Sequence, residues 1–134
     1  MLSVFFGIRV AVWRICMEYS EFVEKAVRQD KRNVFSVYEG SLEKIPDVMK
    51  CFYRDNNPLD VEINAVRFVP AEELSAIQEE YSCLHVPFVF ATCNGDPVFM
   101  HNGNIYTCPH GIETPEWELL SEDIKSYLSF LLEE

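Results

Sequence analysis

The amino-acid sequence predicts an α+β fold: a single small domain in which helices pack on an antiparallel or mixed β-sheet. Two Asn-Gly dipeptides separate three short apolar runs in the second half of the chain, and this pattern is the strongest short-range signal for β-hairpins. Segments with a helical spacing of apolar residues lie on both sides of these runs. The chain has 134 residues, 49% of them hydrophobic, and is therefore large enough to bury one core.

Four segments have the apolar spacing of amphipathic helices. Ser20 and Ser121 are candidate N-caps of the first and the last, and Pro46 and Pro70 stand where the second and third begin. The predicted inward stripes are Phe22, Val23, Ala26 and Val27; Val48, Met49, Phe52 and Tyr53; Leu74, Ile77 and Tyr81; and Ile124, Tyr127, Leu128, Leu131 and Leu132. The glutamates of the third helix, Glu72, Glu73, Glu79 and Glu80, are predicted to form a solvated face.

Strands are expected between these helices. The clearest are a three-stranded antiparallel meander over 87–93, 97–101 and 104–108, in which Phe99 and Tyr106 are predicted core or cross-strand partners. Residues 33–39 and 61–69 are further candidates. The alternation in the second of these slips around Ala65-Val66, which indicates a bulge. Asp55-Asn56-Asn57-Pro58 is typical of a turn that ends the preceding helix.

No repeat, low-complexity tract or long linker divides the chain, so residues 17–134 are predicted to form one domain. Residues 1–16 differ from the remainder, because they are apolar yet interrupted by Arg9 and Arg14 and lack the pattern of a signal peptide. We interpret them as a doubtful extension that reflects a start codon placed too early, with Met17 as the natural first residue. An additional strand and a weak interfacial anchor are the alternatives.

The charge balance narrows the choice of partner. Twenty-two acidic residues against eleven basic ones give a formal net charge of −11. Such a protein is repelled by nucleic acids and anionic membranes, whose binding depends on Lys and Arg neutralising phosphate, and is attracted to a basic protein. The simpler interpretation of the same charge is that it keeps the protein soluble.

The cysteines and histidines do not form a recognisable motif. Five cysteines without tight pairing favour a reducing compartment, and hence a cytoplasmic location, over a disulfide scaffold. Cys108 and His110, with Cys83, His85, Cys93 and His101 nearby, lack the short ligand spacings of structural zinc sites. No phosphate-binding glycine loop is present. We therefore predict no metal, no cofactor and no catalytic residues, and keep a small hydrolase that uses Cys108 and His110 as a minor alternative.

Four sequence segments, taken in chain order, resemble a known family. IPDVMKCFYRDNN, VRFVPAEEL, VPFVFATCNGDPVFMHNGNIYTCPHG and DIKSYLSFLLEE, together covering roughly residues 41–134, are similar to the SUKH (Smi/Knr-like) superfamily. That superfamily contains bacterial immunity proteins and yeast cell-wall regulators. The resemblance implies a non-enzymatic protein that binds and neutralises a cognate toxin, often a nuclease, in the cytoplasm of the cell that produces it.

Two loops carry the candidate partner-binding residues. Glu113, Glu116 and Glu118 flank Trp117, which is the composition of an aromatic anchor that faces a basic partner. Trp117 also has the alternative role of covering the core while the acids are merely solvated. Asp96 follows the first Asn-Gly turn, where binding neighbouring amides is its simpler role and contacting a toxin's Lys or Arg is the other.

The sequence therefore predicts a protein-binding domain with a basic toxin as its partner and with no role for nucleic acid or membrane. An intracellular scaffold or regulatory adaptor of the same fold is the main alternative. The sequence does not define the oligomeric state.

Overall fold

The computed structural model describes residues 19–133 and has the α+β architecture that the sequence predicts. The predicted extension 1–16 lies outside the described residues. In chain order the elements are α1 (19–29), β1 (Val34–Ser36), α2 (Asp47–Asp55), β2 (Asn57–Asp60), β3 (Glu62–Ile63), β4 (Val66–Phe68), a 3-10 turn (Ala71–Glu73), α3 (Leu74–Glu80), a second 3-10 turn (Ser82–Leu84), β5 (Phe88–Cys93), β6 (Asp96–His101), β7 (Asn104–Thr107), β8 (Glu118–Ser121) and α4 (Ile124–Leu132).

The strands form two antiparallel sheets. Six strands follow one another in the order β3-β4-β5-β6-β7-β8, and β1 and β2 pair separately. The predicted meander is confirmed as β5, β6 and β7. Both residues of each Asn-Gly turn have positive φ, at 53° and 89° for Asn94-Gly95 and at 52° and 84° for Asn102-Gly103, as two-residue hairpins with matching twist require.

The predicted single strand over 61–69 is wrong: this segment is the β3-β4 hairpin. Asn64 and Ala65, with φ of 50° and 68°, reverse the chain where the sequence indicated a bulge. The Asn64 side chain donates a hydrogen bond to the carbonyl of Leu131 and so ties this turn to α4. Alanine in the left-handed region is unusual, and this is why the turn left no recognisable signature in the sequence.

The predicted end of the second helix is confirmed, since α2 ends at Asp55, but Asn57-Pro58 do not form the predicted turn because both belong to β2. Asn57 is fully buried; its Oδ1 accepts a hydrogen bond from the amide of Ala71, and its Nδ2 donates one to Glu72. The side chain therefore joins β2 to the start of the segment that becomes α3. The strand predicted over 33–39 exists as the shorter β1.

The helices occur where predicted, with corrections at their ends. Ser20 already lies inside α1 and is not its N-cap. The N-cap of α4 is Asp123, whose carboxylate accepts from the Ser126 amide at 2.7 Å, instead of Ser121. Val27 and Val48, predicted to point inward, are exposed on α1 and α2.

The large sheet has an apolar layer on each face. On the inner face, α1, α2 and α4 pack against β4 to β7 around a cluster of aromatic rings that includes Phe22, Phe52, Phe68 and Phe90. On the outer face a smaller cluster contains Tyr81, Leu84, Val89, Phe99 and Cys108.

Helix α3 is fixed to the outer face by Gln78. Its side chain accepts from the amide of Val89 at 2.8 Å and donates to the carbonyl of the same residue at 2.7 Å. The register of β5 against β6 shifts between Val89 and Ala91, so the glutamine acts as a hydrogen-bonding partner beside an irregular part of the ladder. α3 therefore covers the β5 side of the outer face and leaves the β6 to β8 side for the segment that follows β7.

Candidate partner-binding surface

Four ring side chains form a cluster on the outer face of β6 and β7. Phe99 and Tyr106 are cross-strand neighbours, confirmed as such, with ring centroids 5.9 Å apart. Trp117 packs over them, at 4.9 Å from Phe99 and 5.4 Å from Tyr106, and His101 lies 5.5 Å from the indole. Phe99 is fully buried, whereas Trp117 remains 39% exposed. Trp117 thus covers part of the outer apolar cluster and is still partly exposed at the surface.

The acidic residues predicted around Trp117 are all exposed. Glu113 and Glu116 belong to the segment between β7 and β8, whereas Glu118, predicted in a loop, is the first residue of β8. Within residues 19–133, none of the three forms an ion pair with a basic side chain. Their charges are therefore available to a partner, and an aromatic ring surrounded by such acids is typical of a binding surface for a basic protein.

Asp96 has a structural contact that its sequence position does not reveal. Its Oδ1 accepts from the backbone amide of His110 at 3.1 Å and lies 2.6 Å from Nδ1 of the same residue. The His110 ring lies against Gly95, where an added Cβ would be 3.0 Å from the ring. Asp96 therefore attaches the start of the 109–117 segment to the β5-β6 turn. With 40% of its side chain exposed, it remains accessible at the edge of the same surface.

The acidic side chains are concentrated in one part of the chain. Between Arg67 and Lys125 there is neither lysine nor arginine. The same span contains ten acidic residues: Glu72, Glu73, Glu79, Glu80, Asp96, Glu113, Glu116, Glu118, Glu122 and Asp123. This span builds α3, β5 to β8, the segment carrying Trp117 and the start of α4. Its acids therefore occupy both sides of the sheet, since α3 lies on the outer side and Asp123, the N-cap of α4, on the inner side. The excess of acids is readable in the sequence, and the fold adds that Glu113, Glu116 and Glu118 are exposed around the segment that packs Trp117 on the ring cluster.

The arrangement does not support the use of Cys108 as a nucleophile. Cys108 is 2% exposed, and burial, with the nearby Asp96 carboxylate, raises the pKa of its thiol. A nucleophilic cysteine needs the opposite shift, because the thiolate is the reactive form. Asp96 engages Nδ1 of His110, and no hydrogen bond joins that ring to Cys108 in the described part of the chain. Residues 19–133 also contain no group of three or more His, Cys, Asp or Glu side chains placed to hold a metal ion.

A cleft of about 800 Å³ lies on the helical side of the molecule between α1 and α4, and the sequence did not predict it. Phe22, Ile124 and Leu128 form its apolar part, and Lys25 and Asp123 lie at its polar rim. The cleft carries charges of both signs and is separated by the sheet from the acidic, aromatic surface. Within residues 19–133 no helix has the length and apolarity needed to cross a membrane.

Comparisons with protein-family models, with curated proteins and with solved structures found no match.

Proposed function

We propose that this protein is a non-enzymatic binding domain that neutralises a basic toxin domain, such as a nuclease, in the cytoplasm of the cell that makes it. The observation that carries the proposal is the exposed Trp117 with Glu113, Glu116 and Glu118 near it in the chain, none of them paired with a basic side chain within residues 19–133. These residues lie in a span, 68–124, that contains ten acids and neither lysine nor arginine. The resemblance to the SUKH superfamily suggests the class of partner, and this surface supplies a physical means of binding it.

The charge of a nuclease domain is complementary to the charge of this surface. A nuclease must hold phosphates and therefore presents a groove lined with Lys and Arg. An acidic surface is drawn to such a groove, and electrostatic steering raises association rates by about 10- to 1,000-fold at low salt. The exposed part of Trp117 adds apolar contact area at the centre, where a few aromatic side chains commonly carry most of the binding energy.

Affinity capture from the native lysate, followed by reconstitution with the purified partner, tests the proposal. We expect recovery of a secreted protein through a basic toxin domain. Binding should weaken between about 50 and about 500 mM salt, since the Debye length shortens severalfold over that range. The toxin's activity should fall as the complex forms. Recovery of housekeeping proteins alone would contradict the toxin assignment and favour the scaffold or adaptor alternative.

A double charge-reversal variant tests whether this surface binds the partner. Glu113→Lys with Glu116→Lys should slow association with the purified partner by at least about tenfold at low salt, because it removes negative charge where steering acts. The matched control is Glu39→Lys with Glu43→Lys, which makes the same change in net charge at exposed positions outside the acidic span. Equal rate losses in both variants would show that net charge alone matters and would remove this surface from consideration. Asp96 is left intact because its substitution would also release the 109–117 segment.

A further inference from the structure

Strand β8 is an open edge of the large sheet. It pairs with β7 on one side, and no strand lies on its other side among residues 19–133. An antiparallel edge strand directs alternate N–H and C=O groups outward, and natural proteins usually protect such edges with charged side chains (lysine above all), proline, bulges or extreme shortness. The opposite edge, β3, is only two residues long. β8 carries Glu118 and a register shift against β7 at Leu120, but has neither lysine nor proline and exposes Leu119 and Leu120 by 50% and 39%.

An apolar row on the outer face runs across the strands and stops at this edge. Phe99 on β6 is opposite Tyr106 on β7, and Tyr106 is opposite Leu119 on β8. Exposure increases along this row, from a fully buried Phe99 to a half-exposed Leu119. A strand added beside β8 would place one of its side chains next to Leu119 and continue the row, since directly opposed residues lie on the same face.

The charges around β8 define which strand fits. Glu118 begins the strand, Glu116 precedes it, and Glu122 and Asp123 follow it, all of them exposed. An incoming strand with Lys or Arg at alternate positions would meet these carboxylates. A second copy of β8 would bring the same acids toward one another, and directly opposed like charges destabilise strand pairs. The edge therefore favours a basic partner over self-association.

We propose that β8 is the docking edge for an extended basic segment of a partner protein, which adds a seventh strand to the sheet and places an apolar or aromatic side chain beside Leu119. Backbone hydrogen bonds would supply affinity and the alternate side chains specificity, as in other β-strand additions. The identification of that partner as a toxin rests on the proposed function, whereas the docking mode does not.

A designed peptide tests the docking mode directly. The probe is fluorescein-labelled Lys-Val-Lys-Phe-Lys-Val-Lys, and its binding is measured by fluorescence anisotropy and by slowed amide exchange in β8. Two further peptides carry N-methyl groups at the odd or at the even amides. Strand addition predicts that one methylated peptide binds at least about tenfold more weakly, because two or more backbone hydrogen bonds are lost at about 1 kcal/mol each, while the other binds like the parent. Equal binding by the two methylated peptides, or no binding by the parent, would overturn the proposal.

Two protein variants locate the site. Leu119→Lys should weaken the parent peptide by at least about tenfold, because it removes the apolar contact and places a charge beside the peptide's valine or phenylalanine side chain. Val37→Lys is the control, since it adds the same positive charge at an exposed apolar residue just after β1. Similar effects of both variants would argue for nonspecific attraction and against the edge. A concentration-dependent dimer that Leu119→Lys abolishes would assign the edge to a second copy of this chain and overturn the basic-partner proposal.

The two proposals can fail separately. Peptide binding at β8 without a captured toxin would leave the docking edge standing and refute the toxin assignment. A salt-sensitive toxin complex unaffected by Leu119→Lys, with no amide protection in β8, would support the proposed function and refute the edge.

Discussion

The contribution of Asn57 to the stability of this protein can be calculated from its two hydrogen bonds. Its side chain is fully buried, accepts from the Ala71 amide at 2.8 Å and donates to Oε1 of Glu72 at 2.8 Å. Asn57→Ala leaves the Ala71 amide without that acceptor, which costs about 1–3 kcal/mol, and removes a hydrogen bond worth about 1 kcal/mol. We therefore expect the free energy of unfolding to fall by about 3 kcal/mol, a large fraction of the 5–15 kcal/mol typical of small proteins.

Urea unfolding followed by circular dichroism measures this loss, and an unchanged m-value would show that the change lies in stability rather than in the unfolding mechanism. Asn57→Asp keeps the acceptor for Ala71 but sets a carboxylate against that of Glu72. Adding Glu72→Gln to Asn57→Asp should recover part of the lost stability, because the new amide donates to the new carboxylate. Glu72→Gln alone should cost less than about 0.5 kcal/mol, since it retains an acceptor oxygen. A loss below about 1 kcal/mol for Asn57→Ala, or no recovery in the double variant, would refute the bridging role.

Three further perturbations follow from the structure. Asp96→Ala should speed hydrogen exchange of the 109–117 amides at a cost below about 1.5 kcal/mol, while Asp96→Asn keeps the acceptor and should not; equal exchange in both would contradict the anchor. Ala65→Gly should raise the free energy of unfolding by about 0.5 kcal/mol, because relief of left-handed strain exceeds the added unfolded-state entropy, and urea unfolding that shows a decrease would refute this. Burial raises the pKa of Tyr53 and Tyr127 above their ordinary value of about 10, so the folded state keeps protons that the unfolded state releases and stability falls as pH rises past that value. Spectrophotometric titration should show these two phenolates only as the protein unfolds, and their appearance in the folded state would contradict the burial argument.

The meander could be predicted because its information is local. Asn94-Gly95 and Asn102-Gly103 favour positive φ by themselves. The three strands on either side of these two turns are short apolar runs, which mark them as strands in the sequence. The β3-β4 turn could not be predicted in the same way, because Ala65 adopts a positive φ only within the folded structure. The turn expected at Asn57 failed for a related reason: a residue typical of turns is used here as a buried hydrogen-bonding bridge.

Strand β8 was missed because its sequence has no alternation to read. Leu119 and Leu120 are adjacent apolar residues, both exposed, and the segment is a strand only because β7 pairs with it. The same holds for the contact between Asp96 and His110, which are fourteen positions apart. The residues of the candidate surface were recognisable from composition, since an aromatic side chain among acids stands out in a sequence. Their support by β8 and by the Asp96 anchor depends on tertiary structure.

The 109–121 segment is held at three places, and this determines how the surface should act in binding. Asp96 fixes its beginning, Trp117 packs on the ring cluster, and β8 pairs with β7. Glu116 and Glu118, on either side of Trp117, are thus positioned before a partner arrives, which reduces the ordering cost of binding. Charge reversal at Glu116 should then act mainly on the association rate, through long-range attraction. Loss of the Asp96 anchor should act mainly on the dissociation rate, because a loosened segment weakens the contacts that are formed after encounter. A variant pair that separates the two rate constants in this way would show that charge and rigidity make distinct contributions to one surface.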